Sequence, residues 1–537
     1  MKNNTFVKGA LVLIIFNLIG KVLGAVYRIP LANILGSVGM GKYQLIFPLY
    51  TLILTISTSG IPVAVSKLVA EFNGQGKFCE SRRVLKIAAS ILLLVSFIGT
   101  AVVVLGAKAF SNIQGNSDIY ICFYAIAPAI IFSSVLSAFR GYFQGNLIMF
   151  PTAISGFVEQ VVKMTLGLFL AMRFAAFGGV YAVFGAVIGV SVSEFFSFVF
   201  LFVFYLFYAK KHRVINKKAK ENYRFLTKQL VSMAAPITFS GVVSPLVSMI
   251  DSLLVVNILM NLGFASSRAT MMLGIQAGIV EPLVNIPTIL SISIATVLLP
   301  SVSKKSSENS LAEVKNMVEK ALQISLSISL AFFICFIIFG RQILDFLYGS
   351  RFDIFELNLS VKLLFLSSVN IIFLSLIQVF SSALNGLNQQ KYAMKTMLLG
   401  CSIKVVLDVL LISIRQINIM GAVISGGVSY LIVMLLNYSK VKKLTGVKIS
   451  NFYFYIALQT MFISVFAYFV NMIIKTMIGD VVALFVAGGI AGVVFLATYY
   501  AFFIHAKNDK EDAISTWKNR RILLNLSYEF KDKKCGT

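Results

Sequence analysis

Apolar runs long enough to cross a bilayer follow one another along nearly the whole chain, separated by short polar breaks rather than by folded polar domains. A spanning helix needs about 20 mostly apolar residues. On that measure the pattern predicts helices over Val7 to Leu35, Tyr43 to Ala70, Val84 to Phe110, Asp118 to Phe143, Pro151 to Met172, Gly178 to Tyr208 and Leu230 to Leu262. Seven more follow, over Met271 to Val302, Met317 to Gly340, Leu357 to Leu384, Tyr392 to Ile414, Met420 to Val441, Phe452 to Ile474 and Val481 to Ile504. The expected fold class is an all-α polytopic membrane protein of about fourteen transmembrane helices. Lys2 and Lys8 precede the first apolar run as in a secretory signal. Lys21 and Arg28 interrupt that run and no small-residue cleavage site follows, so it reads as an uncleaved first helix.

The polar breaks carry a second pattern. With the amino terminus placed in the cytoplasm, the basic connections all fall on that side: Lys77 to Lys86, Lys210 to Lys228, Lys304 to Lys320, Lys440 to Lys448 and the tail after His505. The opposite breaks are nearly bare and carry isolated charges such as Lys42, Arg173, Arg268, Arg341, Arg351 and Arg415. Short cytoplasmic loops concentrate Lys and Arg, so the asymmetry predicts a multi-pass membrane protein with both termini inside. The chain has 537 residues, 58% hydrophobic and 13% charged, and a formal charge of +26. That charge could suggest a nucleic-acid partner, but it is distributed between apolar runs instead of covering one solvated face, and the reading excludes nucleic acid.

The basic break near mid-chain divides two hydrophobic stretches of similar length, and an internal repeat joins them. Ser137, Ala138, Gly141 and Gln144 form the pattern SAxxGxxQ, which recurs at Ser382, Ala383, Gly386 and Gln389. Val65-Ser66-Lys67 is echoed by Val302-Ser303-Lys304 at the expected cytoplasmic end of the second helix of each half. Repeats six helices apart have parallel topology, related by an axis along the membrane normal. The expected division is an amino-terminal lobe over 1–209, a basic linker over 210–229, a carboxy-terminal lobe over 230–441, two extra helices over 442–506 and a basic tail over 507–537.

An ionisable group near the bilayer centre costs at least about 2.5–3.5 kcal/mol, which makes each one inside a predicted helix a candidate. Lys21 and Arg28 lie two turns apart on one face of the first helix, and they cannot both reach the same interface. Glu159 and Lys163 are spaced i,i+4 in the fifth helix. The SAxxGxxQ register carries them onto Lys404 and Asp408 in the eleventh, with the signs swapped. Each pair is able to neutralise itself locally, in which case no substrate is needed to explain it. Asp251 and Glu281 have no opposite charge nearby in sequence, and Lys21 or Arg28 would serve as partner. Glu194 is similarly isolated, with Ser191, Ser193 and Ser197 as the groups to solvate it. Pro62, Pro236, Pro245, Pro282, Pro287 and Pro300 mark expected kinks.

No enzyme constellation accompanies these charges. The histidines are His212 and His505, both at the expected cytoplasmic edge, and there is no Walker loop, GxSxG, HExxH or acidic metal cluster. The cysteines, Cys79, Cys122, Cys335, Cys401 and Cys535, stand singly, without disulfide or zinc spacing. No cofactor or metal is expected. ATP is not the direct fuel, and coupling to the membrane potential or an ion gradient stays open; one charge crossing 100 mV is worth about 2.3 kcal/mol.

Gly24-Ala25-Val26-Tyr27-Arg28-Ile29-Pro30, the stretch Ser59-Gly60-Ile61-Pro62-Val63-Ala64-Val65-Ser66-Lys67 and Leu298-Leu299-Pro300-Ser301-Val302-Ser303 resemble the SpoVB, YtgP and MurJ-like polysaccharide biosynthesis proteins of the MOP superfamily. The resemblance covers essentially the whole chain. It implies two pseudo-symmetric six-helix lobes plus two carboxy-terminal helices lining a lipid groove, a MOP or MATE-like fold. It also implies a flippase that moves an undecaprenyl-pyrophosphate-linked saccharide, lipid II above all, to the outer leaflet by alternating access. The implied partners are that glycolipid, membrane lipids and cell-wall synthesis proteins, in peptidoglycan assembly or sporulation. Arg28 matches a family arginine and would contact the diphosphate. The eighth helix departs from the MurJ pattern: it keeps Glu281 without an arginine before its proline, as in the SpoVB or YtgP branch. The alternatives are a MATE-type cation or drug exporter and a flippase for another lipid-linked polysaccharide unit.

Overall fold

The computed structural model describes residues 2–211, 222–447, 452–478, 486–490 and 492–495. The described residues are helical throughout apart from short connections, with no strand among them. The helices are α1 (Lys2–Thr58), α2 (Gly60–Gly74), α3 (Phe78–Ile113), α4 (Tyr120–Gly145), α5 (Phe150–Ala175), α6 (Gly179–Lys211) and α7 (Tyr223–Asn261). Then come α8 (Ser266–Leu273), a π-helical segment (Gly274–Val280), α9 (Glu281–Ser307), α10 (Leu311–Tyr348), α11 (Ile354–Gly386), α12 (Gln390–Ile412), α13 (Met420–Thr445) and α14 (Phe452–Ile478). The expected tail over 507–537, residues 212–221 of the expected 210–229 linker, His505 and Cys535 lie outside the described residues.

Among the described residues, ten helical runs are long and apolar enough to cross a membrane. Their outer surfaces call for an apolar solvent: Leu105 is 85% exposed, Phe239 77% and Phe207 71%. A soluble protein does not leave such surfaces to water. The chain is a multi-pass membrane protein.

The expected break between the first two helices is much shorter than the polar stretch predicts. At about 1.5 Å per residue a straight α1 would run about 85 Å, nearly three bilayer cores. It turns instead at Gly36, whose φ of 67° and ψ of 178° suit a residue without Cβ, and helix resumes at once, carrying Lys42. The predicted second helix is itself interrupted at Ser59. Pro62, three residues on, has no N–H to give the Thr58 carbonyl, so the ladder weakens there and α2 begins.

Close packing follows the internal repeat. A Cβ added at Gly141 of α4 would lie 2.5 Å from the Pro62 carbonyl oxygen of α2, and one at Gly386 of α11 would lie 3.0 Å from the Leu299 carbonyl oxygen of α9. Gly141 and Gly386 occupy the same place in SAxxGxxQ, and Pro62 and Leu299 stand the same distance before Val65 and Val302 in the shorter echo. The two glycines therefore perform one packing role in each half.

Chain contacts divide the protein into residues 1–450 and 451–537. In the first unit α2 to α6 pack on α1 and on one another, and α9 to α13 pack on one another. The two sets meet where α1 lies against α7, α8 and the π segment, and where α2 lies against α7. Connections expected on one membrane face gather at one end: Asn73 bonds Asn146 at 3.0 Å, and the Arg83 guanidinium sits 4.3 Å over the Tyr223 ring. At that basic end Lys305 bonds Glu308 at 3.0 Å and Glu313 at 2.8 Å, and its ammonium holds the Glu308 carboxyl below the usual carboxylate range.

Candidate functional site

Gly20 and Gly24 lie one turn apart on the face of α1 that meets α5. Cβ atoms there would sit 3.5 Å from Cγ and 3.4 Å from Oε1 of Gln160. This close approach brings Lys21 of α1 and Glu159 and Lys163 of α5 to one cavity of about 470 Å³, completed by Arg140 of α4 and by Ile292, Ser293 and Thr296 of α9. A second cavity of about 440 Å³ shares Gly24 and Lys163 with it and adds Arg28, Tyr43, Gln44, Phe47, Ala277, Glu281 and Asn285. A third, of about 110 Å³, shares Glu281 and Asn285 with the second and adds Gln276, Asn370, Lys404 and Tyr430. The three adjoin through their shared walls, forming a polar interior from Lys21 to Lys404.

The π segment shapes the middle of this interior. Glu281 N–H bonds the Gln276 carbonyl, five residues back. The next carbonyl, that of Ala277, would receive the N–H of residue 282 in the same register, but Pro282 has none. The vacated oxygen takes side chains instead: Arg28 donates to it through Nη1 at 3.4 Å, and Gln44 donates through Nε2. A proline that reads in sequence only as a kink thus fixes the Arg28 guanidinium at the wall of the second cavity.

Charge pairing differs from the sequence expectation in two respects. Glu159 does not pair with Lys163. The Arg140 guanidinium, reaching from α4, bonds Glu159 at 3.0 Å through Nη2, with Ser155 at 3.1 Å and Ser197 at 3.3 Å as further acceptors. A planar fork with several acceptors fixes its geometry better than a flexible i,i+4 lysine. Lys163 is left with no ion pair among the described residues. Asp251, for its part, is paired neither with Lys21 nor with Arg28. Lys404 of α12 bridges it at 2.5 Å and Asp408 at 2.8 Å, and Asp408, fully buried, also accepts a bond from Ser425 of α13. Asp251 and Asp408 hold Lys404 without lining a cavity themselves. Glu281, exposed to the cavities, has no ion pair among the described residues, nor have Lys21 and Arg28.

Glu194 is buried, yet the three serines near it in sequence turn away. Ser191 donates to the Ala125 carbonyl, Ser193 to Val190 and Ser197 to Ser155. In a helix a hydroxyl satisfies itself most readily on a nearby carbonyl, which is why adjacency to serine does not amount to solvation. Sequence reasoning missed Arg140. It lies inside the first SAxxGxxQ copy, where the second has Asn385, and that asymmetry was the available signal. Gln44, Gln160, Asn285 and Asn370 were missed as well, since a neutral side chain carries too small a burial cost to stand out.

The end opposite the basic connections is closed by polar contacts, some within the first set of helices and some between the two sets. Asn116 donates to Thr270 at 2.8 Å and accepts from it at 3.1 Å, Gln114 bonds the Leu45 carbonyl at 2.9 Å, and Asn33 bonds the Leu347 carbonyl at 2.9 Å. Lys42 pairs with Asp118 and Ser37 donates to Glu356. Gly41 and Gly274 bring α1 against Thr270 and Ser37 with no room for a Cβ.

Comparison with known proteins agrees with this geometry. The profile of the polysaccharide biosynthesis protein family matches residues 6–306. The lipid II flippase MurJ of Bacillus subtilis is 29% identical over 468 residues, covering 83% of this chain and 84% of its own. Stage V sporulation protein B of the same organism is 28% identical over 454 residues, covering 84% and 86%. A solved structure of the lipid II flippase MurJ, in an inward closed conformation, superposes with a TM-score of 0.68 over 92% of this chain and 100% of that one. At 15% sequence identity that superposition speaks for the fold alone.

Proposed function

We propose that this chain, which belongs to the polysaccharide biosynthesis protein family, is a flippase that carries an undecaprenyl-pyrophosphate-linked saccharide, lipid II foremost, from the inner to the outer leaflet of the cell membrane. The observation that carries the reading is the set of unpaired cations, Lys21, Arg28 and Lys163, on the walls of two adjoining cavities. A diphosphate brings two or more negative charges that must leave water, and lysine and arginine side chains already fixed in a polar cavity replace that hydration. Volumes of about 470 and 440 Å³ suit a saccharide diphosphate head, within the usual range for small-molecule sites. A MATE-type exporter of cationic drugs would gain nothing from three unpaired positive charges at the same walls.

Alternating access supplies the movement in this reading. The Asn116–Thr270 and Asn33–Leu347 contacts close the expected outer end, and the head enters from the basic, cytoplasmic end. Opening the outer end exchanges those contacts for water, while the lipid tail stays in the bilayer. No bond of the substrate is made or broken, so the protein is a transporter and not an enzyme.

The test is complementation of a bacterial strain depleted of its lipid II flippase, with survival and surface-accessible lipid II both scored. Wild type should rescue, and Arg28→Ala, inserted in the membrane at equal level, should not. Failure of a normally inserted wild type would reject lipid II as the substrate, and rescue by Arg28→Ala would reject the headgroup site.

A further inference from the structure

The polar interior is not uniformly cationic. The walls of the first two cavities carry Lys21, Arg28 and Lys163 unpaired, while Arg140 is neutralised by Glu159. At the other extreme, the third cavity has the unpaired Glu281 at its mouth, and the ammonium that reaches it, that of Lys404, is shared by two carboxylates. That triad keeps one excess negative charge when both carboxylates are ionised. The rest of the third cavity's polar wall is neutral, made of Gln276, Asn285, Asn370 and Tyr430, and Glu281 and Asn285 border the second cavity as well. Unpaired cations thus line the first two cavities, whereas the acid at the entrance to the third has no ion pair among the described residues, and the third narrows to about 110 Å³, room for a chain end and too small for a sugar ring.

We propose that the third cavity is a subsite for a primary ammonium group on the substrate head, bound by Glu281 among Gln276, Asn285, Asn370 and Tyr430, so that the preferred cargo is zwitterionic, with diphosphate at one end and amine at the other. The proposal rests on the flippase reading and specifies its substrate class. A lone carboxylate flanked by amide and hydroxyl acceptors accepts hydrogen bonds from all three ammonium N–H groups, whereas a neutral amide offers one N–H and no charge. Lys404 does not repel the incoming amine, because its charge is held within the triad. The amine also gives the head a fixed orientation: with the diphosphate held by Arg28, an ammonium at Glu281 draws the intervening saccharide along the wall that holds Asn285.

The test uses purified full-length protein in liposomes and two polyprenyl-pyrophosphate-linked disaccharides. One bears a short peptide with a free lysine amine, and the other bears the same peptide acetylated at that amine. A charge-assisted hydrogen bond is worth about 1.5–3 kcal/mol, so wild type should translocate the free-amine lipid about 10- to 100-fold faster at limiting substrate. Glu281→Gln should bring the ratio close to one. Equal rates for both lipids in wild type would overturn the inference while leaving the flippase reading intact, and that comparison needs no variant to fold. Glu281→Gln slowing both lipids by the same factor would also overturn it, as would a ratio near one together with a sodium dependence that Glu281→Gln abolishes, since Glu281 would then hold an inorganic cation. Translocation of neither lipid above protein-free liposomes would overturn the flippase reading and the inference with it.

Discussion

Lys404→Met removes the one positive charge from between Asp251 and Asp408 and leaves two carboxylates facing each other inside the α7, α12 and α13 cluster. Wild-type Lys404 makes contacts of 2.5 and 2.8 Å, and Asp408 has no exposed surface while Asp251 keeps 23%. Withdrawing one partner from a buried ion pair costs about 3–5 kcal/mol, because the charge left behind keeps its desolvation penalty. The loss should fall at the upper end here, since two acids lose the same partner. Asp408→Asn removes one carboxylate and leaves Lys404 with Asp251, so it should cost less, about 1–3 kcal/mol. The assay is thermal unfolding of the detergent-purified protein, with the single variants, Lys404→Met/Asp408→Asn and the triple Lys404→Met/Asp408→Asn/Asp251→Asn compared. The double variant should be more stable than Lys404→Met alone, and the triple should approach wild type. A Lys404→Met protein as stable as wild type, or double-variant losses that simply add, would refute the argument that this triad is an electrostatic unit.

Other variants test other parts of the structure. Gly141→Ala drives a methyl group against the backbone of Pro62 and should cost about 1–3 kcal/mol in thermal unfolding; Gly386→Ala, whose nearest neighbours are Val302 side-chain atoms at 2.8 and 2.9 Å, should cost less. Arg140→Met frees Glu159 to pair with Lys163 at i,i+4, so translocation should fall; Arg140→Met/Glu159→Gln, which leaves Lys163 unpaired, should recover it in the same liposome assay. Pro282→Ala restores an N–H for the Ala277 carbonyl and releases Arg28 and Gln44, so the helix should gain up to about 3 kcal/mol while translocation drops. Asn116→Ala removes the paired bonds to Thr270, worth about 1–3 kcal/mol, and should raise labelling from outside the cell of a cysteine placed at Ser293 by about 5- to 100-fold.

Helices were legible in the sequence because the bilayer makes their signal strong. Backbone groups in lipid must be satisfied within the segment, so a long apolar run has essentially one structure open to it. The turn between the first two helices was less legible. Hydropathy cannot tell a polar loop from polar helical residues, and the run from Ser37 to Lys42 is helix with a single displaced residue at Gly36. Six of the eight charged candidates line the three cavities and the other two, Asp251 and Asp408, bond Lys404, yet the partners did not follow from spacing. Lys404 and Asp408 did bond at i,i+4, whereas Glu159 took Arg140, and the difference lies in a neighbouring helix that spacing within one helix cannot report. Likewise the side-chain contacts of the Ala277 carbonyl depend on π register, and a period of five leaves no mark in the pattern of apolar residues.

The repeat adds one further step. Glu159 and Lys163 correspond to Lys404 and Asp408 across the two halves, and both pairs lie where α5 and α12 border the interior. In the first half Arg140, at the position of Asn385 in the second, withdraws the acid and leaves the lysine at the cavity wall. In the second half Asp251 joins the acid and absorbs the lysine. The two pairs thus differ in net charge, positive around Lys163 and negative around Lys404, through a single partner from a neighbouring helix in each. On the flippase reading proposed above, this difference would let a cargo with opposite charges at its two ends bind in one orientation.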